Sequence, residues 1–210
     1  EDAAWAQSPE PSLATARQSE TVAQVKSPEH RNTQRLLEPL ETATGGGLEG
    51  RNADARAALV RRRGGTAESE AAVERGLRWL IAHQCNDGSW SFDHNRSLCR
   101  GACRNPGKHP SSVAATALAV LPFLGAGYTH RQGPYQDQLD RALYYLKGKG
   151  VKHPHGLDFQ DGTMYAHALA TIALCEAYAM TGDPELKGFA QQAINFAVYA
   201  QDLKGGGWRY

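Results

Sequence analysis

The densest concentration of side chains able to do chemistry is HQCNDGSWSFDHNRSLCRGACRNPGKH, running from His83 to His109. It holds Cys85, Cys99 and Cys103 together with His83, His94 and His109. Thiolate sulfur and imidazole nitrogen are the usual ligands of zinc. Cys99 and Cys103 stand within the spacing of a zinc-ligand pair, and His94 or His109 would complete four ligands. The same spacing suits a disulfide, Cys99 with Cys103 or Cys85 with either, if the domain is exported. A third reading is a polar loop with unbonded thiols. A loop this long without helix or strand patterning is either tied down or disordered. Cys99 and Cys103 are therefore expected to hold the segment from Trp90 to His109 together. Cys175 lies inside an apolar run and reads as a small core residue.

Two other places carry isolated polar groups. His167 and Glu176 interrupt the run MYAHALATIALCEAYAM; at that separation they point about 180° apart around an α-helix and cannot share a site. His167 shares a face with Met164, Thr171 and Tyr178. With Tyr165 beside them, His167, Thr171 and Tyr178 are candidates to line a ligand cavity. The rival for His167 is a buried imidazole bonded to a backbone carbonyl. Asp161 stands just before the same run, the place of a helix-capping carboxylate.

These groups need helices to position them. Val73, Leu77, Leu80 and Ile81 recur on one helical face, starting near Ser69-Glu70 and stopping at Asp87-Gly88. Further helices are expected over Ser112–Leu124, Gln136–Lys147, Met164–Met180 and Leu186–Ala200. The second and fourth are apolar nearly all round, so burial on every side is expected; the other three are amphipathic. No segment reads as a strand. Residues 1–65, rich in Ala, Glu, Arg, Ser and Gly with Trp5 the lone aromatic, read as a disordered tail or linker. One short helix is allowed there over residues 34–42, and Arg61-Arg62-Arg63 reads as solvated charge. The formal net charge is only +1, so no nucleic-acid partner is expected. The apolar runs are too short or too interrupted to span a bilayer. Glu1 at the start and Trp208-Arg209-Tyr210 at the end read as cut ends. A targeting segment or membrane anchor upstream would fit that reading.

The first helix and the last repeat one another. Setting Gln84 on Gln201 puts Trp79 on Phe196, Ile81 on Val198 and Trp90 near Trp208, with one extra residue in the second turn. A hairpin repeated in this way cannot bury its own surface alone. Arg75-Gly76, Trp79-Leu80, Gln84 and Gly88-Ser89-Trp90 resemble the QW repeat of squalene–hopene and oxidosqualene cyclases. Ala193, Phe196, Gln201, Gly207 and Trp208 match it more loosely. The resemblance covers residues 71–210, and such repeats occur across the squalene-cyclase and protein-prenyltransferase-like α/α toroids. It implies an all-α, partial α/α toroid built of helical hairpins over residues 66–210, with Gln84, Trp90, Gln201 and Trp208 bracing the ring.

It implies chemistry less firmly. Triterpene cyclases protonate an alkene with an Asp-x-Asp-Asp-Thr cluster before an inner helix. Asp161 and Thr163 fall on two of those positions, but Phe159 and Gly162 replace the flanking acids. Capping by Asp161 is thus the expectation and catalysis the alternative. No Asp-x-Cys of the prenyltransferase type and no Gly-Cys-Gly-Glu-Gln of the thioester type is suitably placed. The expected function is a binding or scaffold module whose apolar concave face takes a hydrophobic small molecule, a peptide or a sister domain. The alternative is part of a terpenoid cyclase acting on an isoprenoid.

Overall fold

Capping chemistry sets where the helices start. The structure, a computed structural model, describes residues 48–51, 53–96, 99, 101–161 and 163–208. Among them run α1 (Ala53–Arg62), α2 (Ala67–Ala82), α3 (Ser112–Gly125), α4 (Gln136–Lys149), α5 (Met164–Thr181) and α6 (Pro184–Tyr199). α2 opens on a capping box, ahead of the expected Ser69-Glu70. Thr66 Oγ1 accepts from the Ser69 N–H at 3.2 Å, and the Thr66 N–H donates to Ser69 Oγ at 3.0 Å. Two orphan donors of the helix end are thereby satisfied. Ser111 caps α3 through the Ala114 N–H at 3.0 Å. Between α5 and α6, Gly182 turns left-handed at φ 64° and Asp183 accepts from the Glu185 N–H at 3.0 Å. Pro184 follows at the first helical position, where its missing N–H leaves no bond unmade.

The fold is all-α, built of helical hairpins in an inner and an outer layer. α3 and α5, the two apolar helices, pack most extensively on each other; α2 and α4 cover α3, and α6 covers α5. Val113, Val120, Phe123, Leu139, Leu146 and Leu174 lie at the centre of the core. Burial on every side is not what the inner helices show. α3 leaves Leu118, Pro122 and Gly125 exposed, and α5 leaves Tyr165, Ala168, Ile172 and Ala179 exposed. Each set is a single stripe at helical spacing. Alanine supplies much of the buried faces (Ala114, Ala117, Ala166, Ala170, Ala173), so larger apolar side chains remain where no described element covers them.

Two more expectations need correction. A short antiparallel hairpin, β1 (Val151–His153) with β2 (Gly156–Asp158), stands where no strand was read, paired Val151 to Asp158 and His153 to Gly156. Gly156, at φ 142°, lies against the Gln192 backbone too closely for any Cβ, which seats the turn on α6. Leu157 and Phe159 then enter the core. Regular structure also begins before Thr66, with a 3-10 turn at Leu48–Arg51 followed by α1. Arg51 Nη1 donates to Glu176 Oε2 at 2.6 Å, which joins that turn to α5. The rest of the expected tail, residues 1–47 with the helix allowed at 34–42, lies outside the described residues. Arg61 and Arg62 are exposed in the last turn of α1, where cations oppose the helix dipole favourably. No described helix is long and apolar enough to cross a membrane.

Candidate functional site

The repeat is a repeat of hydrogen bonds. Gln84 Nε2 donates to Gly88 O at 2.9 Å, and Trp90 Nε1 donates to Leu80 O at 2.7 Å. Gln201 Nε2 donates to Gly206 O at 2.8 Å, and Trp208 Nε1 donates to Ala197 O at 2.7 Å. Leu80 and Ala197 are equivalent when the two glutamines are superposed, so both turns close on their helices in one way. Their surroundings differ. Gln84 Nε2 also donates to Gln138 O at 2.8 Å, its Oε1 accepts from Arg141 at 3.2 Å, and Trp90 is 4% exposed. Gly88, at φ 87°, touches the Arg141 backbone so closely that a Cβ would clash. Among the described residues no outer helix lies over Trp208, which is 51% exposed.

Asp161 acts as a cap, but for a different helix from the one it precedes. Its Oδ2 accepts from Ser111 Oγ at 3.0 Å and from the Val113 N–H at 3.1 Å. The carboxylate thus closes the N-terminus of α3, while Thr163 caps α5. That cross-connection holds Asp161 in a left-handed conformation, φ 39°.

Beside it, at the start of α5, an apolar groove of about 420 Å³ is lined by Met164, Tyr165, Ala168, Ile172, Ala197 and Trp208, with His167 and Thr171 also on its wall. His167 is fully buried. Its Nε2 lies 3.1 Å from Ala193 O, and its Nδ1 accepts from the Phe159 N–H at 3.1 Å. A carbonyl accepts and an amide donates, so the proton is on Nε2. Burial lowers the pKa of this imidazole, opposed by the bond to Ala193 and by Asp158. Thr171 Oγ1 donates to His167 O at 2.7 Å. Both polar groups are therefore committed within the protein. Tyr178 is not part of the groove; it packs against the core.

The cysteine loop brings together a set that differs from the expected one. His83 Nε2 lies 3.2 Å from Cys103 Sγ. Donor atoms of His83, Cys99 and Cys103 all lie within 4.8 Å of one another, a spacing that a metal ion could bridge. His94 and His109 are outside the group. His94 meets the His83 and Trp79 rings edge-on at 5.7 Å. His109 accepts from the Ser111 N–H through Nδ1 at 3.2 Å and lies edge-on to Phe92. His83 comes in because it is the C-cap residue of α2, with Nδ1 2.6 Å from Trp79 O one turn back. That bond aims Nε2 at the loop. The sequence puts His83 in the same His- and Cys-rich segment, just past the last apolar residue of α2, but spacing alone favours His94 or His109 over it. No disulfide joins Cys85, Cys99, Cys103 or Cys175. Burial raises the pKa of the Cys175 thiol, with a smaller contribution from Glu176, in keeping with a core role. The loop is also closed by backbone, the Gly107 N–H donating to Phe92 O at 2.8 Å.

The chain matches no protein family, no curated protein and no solved structure in these comparisons.

Proposed function

We propose that this chain is a repeat module of the squalene-cyclase and prenyltransferase-like α/α-toroid class whose inner face binds a hydrophobic small molecule. One observation carries the reading. The inner helices leave Leu118, Tyr165 and Ile172 exposed at 43%, 61% and 46%, and on α5 that stripe lines a groove whose His167 and Thr171 are bonded inside the protein. A wall whose His167, Thr171 and Trp208 donors are already bonded to backbone carbonyls suits a hydrocarbon chain better than a polar ligand. The groove volume suits a small molecule more than a helix or a whole domain. The Asp161 carboxylate is engaged at the start of α3, which speaks against its protonating an alkene. The reading includes zinc as a cofactor on Cys99 and Cys103, whose sulfurs stand close enough to share one ion.

The test is a titration of intrinsic tryptophan fluorescence with a long-chain isoprenoid alcohol. Saturable binding is expected, weakened by Ile172→Glu at least roughly tenfold, because the ligand would have to desolvate the new carboxylate. A signal that never saturates, or one that Ile172→Glu leaves alone, contradicts the reading. Binding of an amphipathic helical peptide but not of the alcohol would assign the face to a peptide.

A further inference from the structure

His83 is almost wholly buried at the end of α2. Its Nδ1 lies 2.6 Å from Trp79 O, and a carbonyl oxygen only accepts, so the ring proton belongs on Nδ1. The neutral imidazole then turns its Nε2 lone pair toward Cys103 Sγ, 3.2 Å away. The Trp79 indole stacks on the ring at 3.8 Å with 23° between planes, which fixes its orientation. An imidazole held by a carbonyl on one nitrogen and presenting the other is how proteins prepare a histidine for a metal.

The distances suit zinc. With Zn–S near 2.3 Å and Zn–N near 2.0–2.1 Å in a tetrahedron, neighbouring donors stand about 3.6 Å apart for N and S, and about 3.8 Å for S and S. His83 Nε2, Cys99 Sγ and Cys103 Sγ are within 4.8 Å of one another. Modest side-chain adjustment would close them on an ion. Cys99 Sγ donates to His94 O at 3.4 Å. Among the described residues no fourth His, Cys, Asp or Glu joins the group.

Resting on the zinc reading above, we propose that His83, Cys99 and Cys103 form a three-ligand zinc site with an exchangeable fourth position. Zinc sites with four protein ligands are structural, whereas three leave a place for water or a small ligand. His83 and His94 also line a groove of about 220 Å³ that includes Trp79, Phe92 and, on the inner face, Leu118. A small soft or anionic ligand can approach the ion along it. The metal would also join the end of α2 to the loop that follows it.

The experiment uses protein stripped of metal under reductant and titrated with Zn²⁺ and Co²⁺. One equivalent should bind, and Co²⁺ should show thiolate charge transfer with the intense visible bands of four-coordination. Added azide should shift those bands by replacing water. Cys99→Ser, Cys103→Ser and His83→Gln should each weaken Zn²⁺ binding roughly 100-fold or more, while His94→Ala and His109→Ala stay near wild type. X-ray absorption of the wild-type zinc protein should count two sulfurs and one imidazole, and it settles the ligand set even if a variant fails to fold. No stoichiometric metal would overturn this site and the zinc reading together. Metal lost with Cys99→Ser but kept at full affinity by His83→Gln would overturn only the His83 assignment. Cobalt bands indifferent to azide would overturn the exchangeable position.

Discussion

Gln84 and Trp90 hold the same bonds as Gln201 and Trp208, so the difference between the pairs isolates what burial adds. Trp90 fills the core and satisfies Leu80 O. Trp90→Ala should cost about 3–5 kcal/mol, the usual result of deleting a buried large aromatic. Trp208→Ala, at a half-exposed site, should cost roughly 1 kcal/mol, since little area is lost. Denaturant unfolding of the two variants checks both, and equal costs would show that Trp90 braces nothing. Gln84→Ala strips partners from Gly88 O, Gln138 O and Arg141 and should cost roughly 1–3 kcal/mol. Gln201→Ala, with one exposed bond to Gly206, should cost less. The paired pattern was legible in the sequence because it occurs twice; the bracing role was what the family resemblance implies, and Trp208, half-exposed, is not buried as Trp90 is. The sequence counts His83 in the His- and Cys-rich segment but favours His94 or His109 over it as a ligand. Its role depends on where residues 94–103 bring two thiols, which periodicity does not encode.

Helices announced themselves, with every one from α2 to α6 predicted by apolar spacing and only their ends displaced by a residue or a few. Signals at the ends were partly readable: Gly182-Asp183-Pro184 states its turn outright, whereas the Thr66 box lies before the first apolar residue. The β1–β2 hairpin was hidden because strands of three residues give no alternation to read, and its seat depends on contact with Gln192. α1 was hidden by composition, since an Ala- and Arg-rich segment looks like a linker until Arg51 and Arg56 find Glu176 and Glu70. One junction between elements is open to titration. Asp183 accepts from His130 Nε2 at 2.8 Å and from Arg131 at 2.9 Å. Chiefly through the His130 bond, its carboxyl is lowered from 3.8 to about 2. A depressed acid adds stability above its unfolded pKa and loses it as pH falls through the folded one. Melting temperature should therefore fall between about pH 4 and pH 2, and the fall should be shallower in Asp183→Asn. Parallel acid profiles for the two proteins would remove Asp183 as the source.

For the molecule as a whole, the proposed function rests on an inner layer that is apolar and that no described element covers. Leu118, Tyr165 and Ile172 are exposed in one layer, and Ile194, Val198 and Tyr199 are exposed on α6. In the proposed function, apolar surface that no described element covers binds a hydrophobic ligand, so which face a hydrocarbon selects decides the matter. The fold class followed from the alternation of apolar and amphipathic helices. The inner groove followed in part, Tyr165, His167 and Thr171 being expected on a cavity wall and Tyr178 not lying there; its open side was hidden because a helix apolar all round looks fully buried until its neighbours are known. The most direct measurement is photolabelling of the folded protein with a diazirine-bearing isoprenoid chain, mapped by peptide mass spectrometry. The account predicts labels on the peptide from Met164 to Ile172 and at Trp208, suppressed by excess unlabelled alcohol. Labels confined to Ile194, Val198 and Tyr199, or labelling that the alcohol does not suppress, would contradict it.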